Sequence, residues 1–268
     1  MKKIYATLLL TLSILSCHAQ ITQVDNMKEV FRYFEGADSK TLAIFDVDMV
    51  LVHPSDPAFQ MANMKRYGQV FKSIIKSLPF EKQTVLFCLT TISSEPVLVD
   101  ECIPQLLRKL QDKGIPTMAL TANLTGSLGA IPNMQQWRYT SLCALGIDFA
   151  KSAPFADALT FEDQIPFRSN HPEYMNGVFC VNGDNITKGD AFLSFVKKTG
   201  VSPEKIIFID DRLHNLQSVE SAIRKLGRQI EYRGLHFTGA DNYPSKMISK
   251  EEFEATWRKL AKEALELN

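Results

Sequence analysis

The sequence predicts an α/β fold, a parallel β-sheet flanked by helices, with a small helical cap inserted after the first core strand. Three observations carry this reading. Apolar runs of strand length recur at Leu42-Ala43-Ile44-Phe45, at residues 115–120 and at Ile206-Ile207-Phe208-Ile209. They are continuous rather than alternating, as a strand buried on both faces requires. Segments with helical spacing lie between them, the signature of βαβ units. Finally, Asp46, Thr121 and Asp210 stand at the ends of these runs, where open parallel sheets bind their ligands.

Taken in order, residues 1–19 read as an export signal. Lys2-Lys3 precede an uncharged apolar stretch over 4–15, and small residues follow, with Ala19 before Gln20 as the cleavage point. The stretch is shorter than the about 20 residues of a membrane span. Ile14-Leu15-Ser16-Cys17 resembles a bacterial lipoprotein processing site, whereas Cys17-His18-Ala19 equally serves ordinary cleavage. The mature chain is therefore expected to be exported, periplasmic or secreted, with a lipid anchor at Cys17 as an open alternative.

Residues 25–34 carry Met27, Val30, Phe31 and Phe34 at helical spacing, and the first strand follows at 40–45. Residues 54–95 hold helical patterns such as Phe71, Ile74, Ile75 and Leu78 without a parallel strand, so they form the cap, with Phe59, Met61, Met64, Tyr67 and Phe71 as its core. The α/β core is expected over 20–53 and 96–268. Pro104 suits the first turn of a helix over 104–112 that leads into the strand at 115–120. Residues 158–161 and 177–181 read as paired strands around a polar excursion. Helices at 189–199 and 214–226 flank the strand at 205–209, a last strand runs over 231–236, and an amphipathic helix at 250–267 is expected to pack on the core.

Composition bounds the function. Thirty basic side chains balance thirty acidic ones, and no basic stripe of the kind that binds nucleic acid is visible. Arg108-Lys109 and Lys197-Lys198 read as solvated helix ends. Cys88, Cys102, Cys143 and Cys180 match no metal spacing and read as buried apolar thiols.

The chemistry lies in the acidic groups. Asp46-Val47-Asp48 follows a buried strand, and desolvated carboxylates there need a cationic partner. Alone, such a pair is as readily a polar turn. Asp210-Asp211 ends a second buried strand, and carboxylates converging on one point need a hard cation; oxygen ligands with few protein groups suit magnesium. Thr121, with the Ala122 N–H, can bond a phosphate oxygen, and Lys188 opens a helix where it offsets charge. His53 and His214 read as loop histidines, Asn215 as a loop stabiliser, and Asp211 is equally a helix-terminal acid.

In order and spacing these residues resemble the haloacid dehalogenase (HAD) superfamily, within it an exported bacterial branch similar to phosphatases. Asp46-Val47-Asp48-Met49-Val50-Leu51 matches the first motif, Thr121 the second, Lys188-Gly189 the third, and Asp210-Asp211 the fourth, over residues 40–236. The resemblance implies a Rossmann-like core and a magnesium-dependent phosphomonoesterase working through an aspartyl-phosphate. Asp46 would be the nucleophile and Asp48 the acid and base, with Thr121 and Lys188 on the phosphoryl oxygens. Magnesium would be held by Asp46, the Asp48 carbonyl and Asp210, with Asp211 acting through water or orienting Lys188. The expected partner is a small phosphorylated substrate or a phosphoprotein. A phosphotransferase, and a non-catalytic exported binding protein of the same fold, are the alternatives. Two departures stand out: Met49 where such phosphatases often have Gly, and Asn123 where many carry Arg.

Overall fold

The structure is a computed structural model, and it describes residues 20–267. The expected export signal, Cys17 included, lies outside the described residues. Within them no helix is long and apolar enough to cross a membrane.

The fold is mixed α/β, a large and mostly parallel sheet flanked by helices. Its first elements are strand β1 (Gln20–Val24), helix α1 (Met27–Arg32) and strand β2 (Thr41–Phe45). A short antiparallel pair, β3 (Val52–Pro54) and β4 (Pro96–Leu98), brackets a helical insertion. That insertion holds a 3₁₀ turn (Pro57–Phe59), α2 (Met61–Arg66), α3 (Gly68–Lys76) and α4 (Phe80–Ile92). Next come α5 (Ile103–Asp112), β5 (Thr117–Thr121), α6 (Met134–Ala144), β6 (Leu159–Thr160), β7 (Glu173–Met175) and β8 (Val178–Cys180). The chain closes with α7 (Lys188–Thr199), β9 (Lys205–Asp210), α8 (Leu213–Lys225), β10 (Glu231–Phe237) and α9 (Lys250–Glu266).

The sheet runs β1-β10-β9-β2-β5-β8-β7-β6, parallel through β8 and antiparallel beyond it. Why the central strands are apolar without a break follows from the pleat. Ala43, Phe45, Ile207 and Ile209 face α1 and α5, while Leu42, Ile44, Ile206 and Phe208 face α7 and α8. Both faces are covered, so every position is buried. Each large side chain sealed this way contributes roughly 1.5–3 kcal/mol.

Four details depart from the sequence reading. The strands at 158–161 and 177–181 do not pair; β7 lies between β6 and β8. Asn176 and Gly177 turn β7 into β8 with φ of 50° and 77°, the geometry of a two-residue hairpin that an Asn-Gly pair favours. Strand β1 and helix α6 were not anticipated. Helix α9 sits on the insertion: Phe253, Trp257 and Leu260 share a core with Phe59, Ile74, Val85 and Leu89. Trp257 Nε1 donates to the Ala58 carbonyl (3.0 Å), and Tyr67 Oη to that of Ile248 (2.7 Å). Phe59 is buried in this core, and Met64, Tyr67 and Phe71 pack against it. Lastly, Cys102 and Cys143 are half-buried, while Cys88 and Cys180 are buried; all four are free thiols.

Candidate active site

The carboxyl ends of β2, β5, β8 and β9 open into one cavity of about 180 Å³. Asp46, Asp48, Thr121, Lys188 and Asp211 line it, together with Arg138 and the Thr84–Phe87–Cys88–Thr91 face of α4 from the insertion. The sequence-predicted residues therefore meet, with Asp210 fully buried beside the cavity.

Pleat alternation explains the pairing of acid and amine. Asp46 continues the face of Leu42 and Ile44, and Asp210 that of Ile206 and Phe208. Both carboxylates thus turn toward the α7 side, where Lys188 opens the helix. Thr187 caps α7, accepting from the Asp190 N–H (3.0 Å). Gly189 lets α7 lie on α8: a Cβ there would fall 2.1 Å from the Ser218 carbonyl oxygen. That contact fixes where Lys188 projects.

Lys188 Nζ lies 2.7 Å from Asp46 Oδ1 and 2.7 Å from Asp210 Oδ2. Asp210 is saturated with donors: Oδ1 accepts from the Arg212 N–H (2.8 Å), and Asn215 Nδ2 bonds both oxygens (3.0 and 3.1 Å). Asn215, read in the sequence as a loop stabiliser, thus bonds Asp210 and also lines the cavity. Asp46 Oδ1 also accepts from the Val47 N–H (2.7 Å), while Oδ2 has no hydrogen-bond partner among the described residues. Burial pushes the Asp46 carboxyl up, against the pull of Lys188. Burial works against the Lys188 charge too, but Asp210 and Asp46 outweigh it and raise the ammonium's pKa, so Lys188 is a cation here. Burial, then the neighbouring Asp210, pushes Asp211 up to about 6.

The donor set fits a hard divalent cation. Oxygens of Asp46, Asp210 and Asp211 approach within 4.8 Å of one another, an all-carboxylate cluster whose repulsion a cation would relieve. Of the paired acids, Asp211 is the one that reaches the cavity, while Asp210 holds Lys188. Both acids belong to the cluster, and Asp210 also binds Lys188.

Asp48 has an unexpected neighbour. Arg138 Nη2 sits 3.0 Å from Asp48 Oδ2, and its side chain is 1% exposed against 36% for Asp48. Arg138 Nε and Nη2 both donate to Asn123 Oδ1 at 3.2 Å. Asn123, noted in the sequence as a departure, thus holds the guanidinium. Sequence reasoning missed Arg138 because α6 is polar and barely amphipathic. The readable signal was its cap, Asn133 followed by Gln136, whose N–H bonds Asn133 Oδ1 (2.7 Å).

Two histidines complete the picture. His214 is exposed on α8 and does not line the cavity. His53 is buried, with Nδ1 donating to the Pro54 carbonyl (2.9 Å), but Nε2 is buried without a partner.

Among known proteins, the chain is similar to bacterial proteins named only as uncharacterized. One, from Rickettsia bellii (strain RML369-C), is 22% identical over 250 residues, covering 90% of this chain and 84% of that protein. Protein RC0398 of Rickettsia conorii is 21% identical over 92% of this chain and 86% of its own length. Protein RP296 of Rickettsia prowazekii is 22% identical, with 91% and 88% covered. No solved structure matches the chain. Residues 23–268 match the family described as "Protein of unknown function (DUF2608)", and to that family the chain belongs.

Proposed function

We propose that this chain is a HAD-like, magnesium-dependent phosphomonoesterase that works through an aspartyl-phosphate, exported to the periplasm or beyond on the strength of its amino-terminal sequence. The observation that carries the reading is Lys188 Nζ at 2.7 Å from both Asp46 and Asp210, beside a cavity shared with Asp48, Thr121 and Asp211. A nucleophilic carboxylate needs a positioned cation to approach an anionic phosphoryl group, and phosphoryl transfer depends chiefly on such positioning and charge stabilisation.

In this scheme Asp46 Oδ2 attacks phosphorus and the bond to the ester oxygen breaks. Asp48 gives its proton to the departing oxygen. It then takes a proton from water, which attacks the aspartyl-phosphate and releases inorganic phosphate and free Asp46. Lys188 and the Thr121 hydroxyl bond the phosphoryl oxygens throughout. Asp46, Asp210 and the Asp48 carbonyl, with Asp211 beside them, would hold magnesium, which when bound offsets the charge shared by the carboxylates and the phosphoryl group. Asp210 also keeps Lys188 in place.

The test is release of inorganic phosphate from p-nitrophenyl phosphate by the chain starting at Gln20, with and without magnesium. Turnover should need the ion and vanish in Asp46→Asn. Hydrolysis that persists in that variant would remove Asp46 as nucleophile. Transfer of the phosphoryl group to an added alcohol would instead mark a phosphotransferase on the same residues.

A further inference from the structure

We propose that Arg138 and Asn123 form an anion subsite for the leaving group. Preferred substrates are then phosphate monoesters whose alcohol carries a second oxyanion, a carboxylate or a phosphate, close to the ester oxygen. This rests on the phosphohydrolase reading and goes beyond it by naming a substrate class.

Arg138 is among the largest fully buried side chains, yet it lines the cavity. Its orientation is fixed twice over: Nε and Nη2 converge on Asn123 Oδ1 at 3.2 Å, and Asn123 Nδ2 is tied to the Leu124 carbonyl at 2.7 Å. The Trp137 ring centroid lies 5.2 Å from the guanidinium carbon. Asn123 is neutral, so the carboxylate that balances the buried charge is Asp48, itself partly solvated. Nη1 has no hydrogen-bond partner among the described residues. Held rigidly, the guanidinium keeps the unused N–H groups of Nη1 beside the cavity, where an anion from outside can take them up. The guanidinium's planar fork suits a carboxylate or a phosphate.

Position then says which part of the substrate this anion belongs to. Lys188 stands beside the nucleophile, whereas Arg138 touches Asp48, the residue assigned to the departing oxygen. An oxyanion on Arg138 therefore sits on the leaving-group side, a few bonds from the ester oxygen. Besides Lys188 and Arg212, the cavity thus has in Arg138 a separate cationic centre for the second anion of the substrate.

The test compares kcat/KM for matched pairs: phosphoglycolate against its amide, and ethylene glycol bisphosphate against 2-hydroxyethyl phosphate. The wild type should favour the doubly anionic member of at least one pair by about tenfold or more, as a charge-assisted pair implies, and the favoured pair tells carboxylate from phosphate. Arg138→Lys should bring that ratio toward one. If it folds poorly by circular dichroism, Asn123→Asp serves instead, since it pins a carboxylate on the guanidinium and cancels its charge. A wild-type ratio near one for both pairs, or a ratio unchanged in a folded variant, overturns the subsite. Hydrolysis lost in Asp46→Asn with no such preference leaves the phosphatase reading standing; no hydrolysis dependent on Asp46 for any ester removes both.

Discussion

Asp210 holds Lys188 from below, its Oδ2 2.7 Å from the ammonium, while Asp211, one residue later, lines the cavity. The two adjacent acids thus differ in surroundings, one fully buried and one at the cavity, and substitution should separate them. Asp210→Asn removes half of the charge that balances a buried Lys188 and should cost roughly 3 kcal/mol. Asp211→Asn removes a carboxylate whose pKa is pushed up to about 6, so that its charged form opposes folding in the metal-free chain at neutral pH. It should stabilise that chain by roughly 1 kcal/mol. Urea melts at pH 7.5 check both; magnesium should raise the midpoint of the wild type and leave that of Asp211→Asn nearly unmoved.

Met49 carries a backbone φ of 65° while its N–H donates to the Val52 carbonyl (2.7 Å), closing the tight loop after Asp46. A side chain in this left-handed region costs about 1–2 kcal/mol, and glycine returns roughly 0.5–1 kcal/mol of that through its freer unfolded chain. Met49→Gly should therefore stabilise the protein by about 0.5 kcal/mol. Because Met49 lines the cavity, the same variant should lower KM for bulky aryl phosphates more than for small alkyl ones. A lower urea midpoint would contradict the strain argument.

His53 gives the stability a pH dependence. Burial lowers its pKa from 6.5, opposed by the bond to the Pro54 carbonyl. With Nδ1 donating there, the second proton would go on Nε2, which is buried without an acceptor under the Tyr243 ring, 3.7 Å between centroids. The unfolded chain then binds that proton more readily than the folded one. Stability is complete above pH 6.5 and falls as the pH drops below it. Thermal melts between pH 8 and 5 should show this loss, reduced in His53→Gln; equal slopes in the two proteins would exclude His53 as its source.

How much of this was readable depended on how loudly burial speaks in sequence. The strands carrying Asp46, Thr121 and Asp210 were legible because both faces are covered, which forces uninterrupted apolar runs. Helix α7 was legible from its apolar spacing and the glycine that ends it. Arg138 was not, since a buried cation looks like any surface arginine until Asn123 and Asp48 are seen around it. Strand β1 alternates weakly and gains its place only by pairing with β10, 213 residues away at Gln20 and Arg233. The different surroundings of Asp210 and Asp211 were not legible either, because the two are neighbours at the end of one strand and differ only in the side of the pleat they take. The seat of α9 was hidden for a related reason: its apolar stripe says that it packs, not on what.

That seat makes a last prediction. Trp257 is 2% exposed, bonds the Ala58 carbonyl, and meets Phe59 and Phe71 edge-on at 5.3 and 4.8 Å. It therefore anchors the insertion to the carboxyl-terminal helix, and through α4 it steadies the cavity wall that Thr84, Phe87 and Cys88 provide. Trp257→Ala should cost about 3–5 kcal/mol of local packing. The loss should fall on α2, α3, α4 and α9, because their core is built apart from the clusters that flank the main sheet. Hydrogen exchange should then speed up over residues 57–92 and 250–266 while β2, β5 and β9 stay protected. With its cavity wall loosened, the variant should show a higher KM than the wild type at a similar midpoint for the sheet. Uniform loss of protection across both regions would mean that insertion and sheet unfold as one unit.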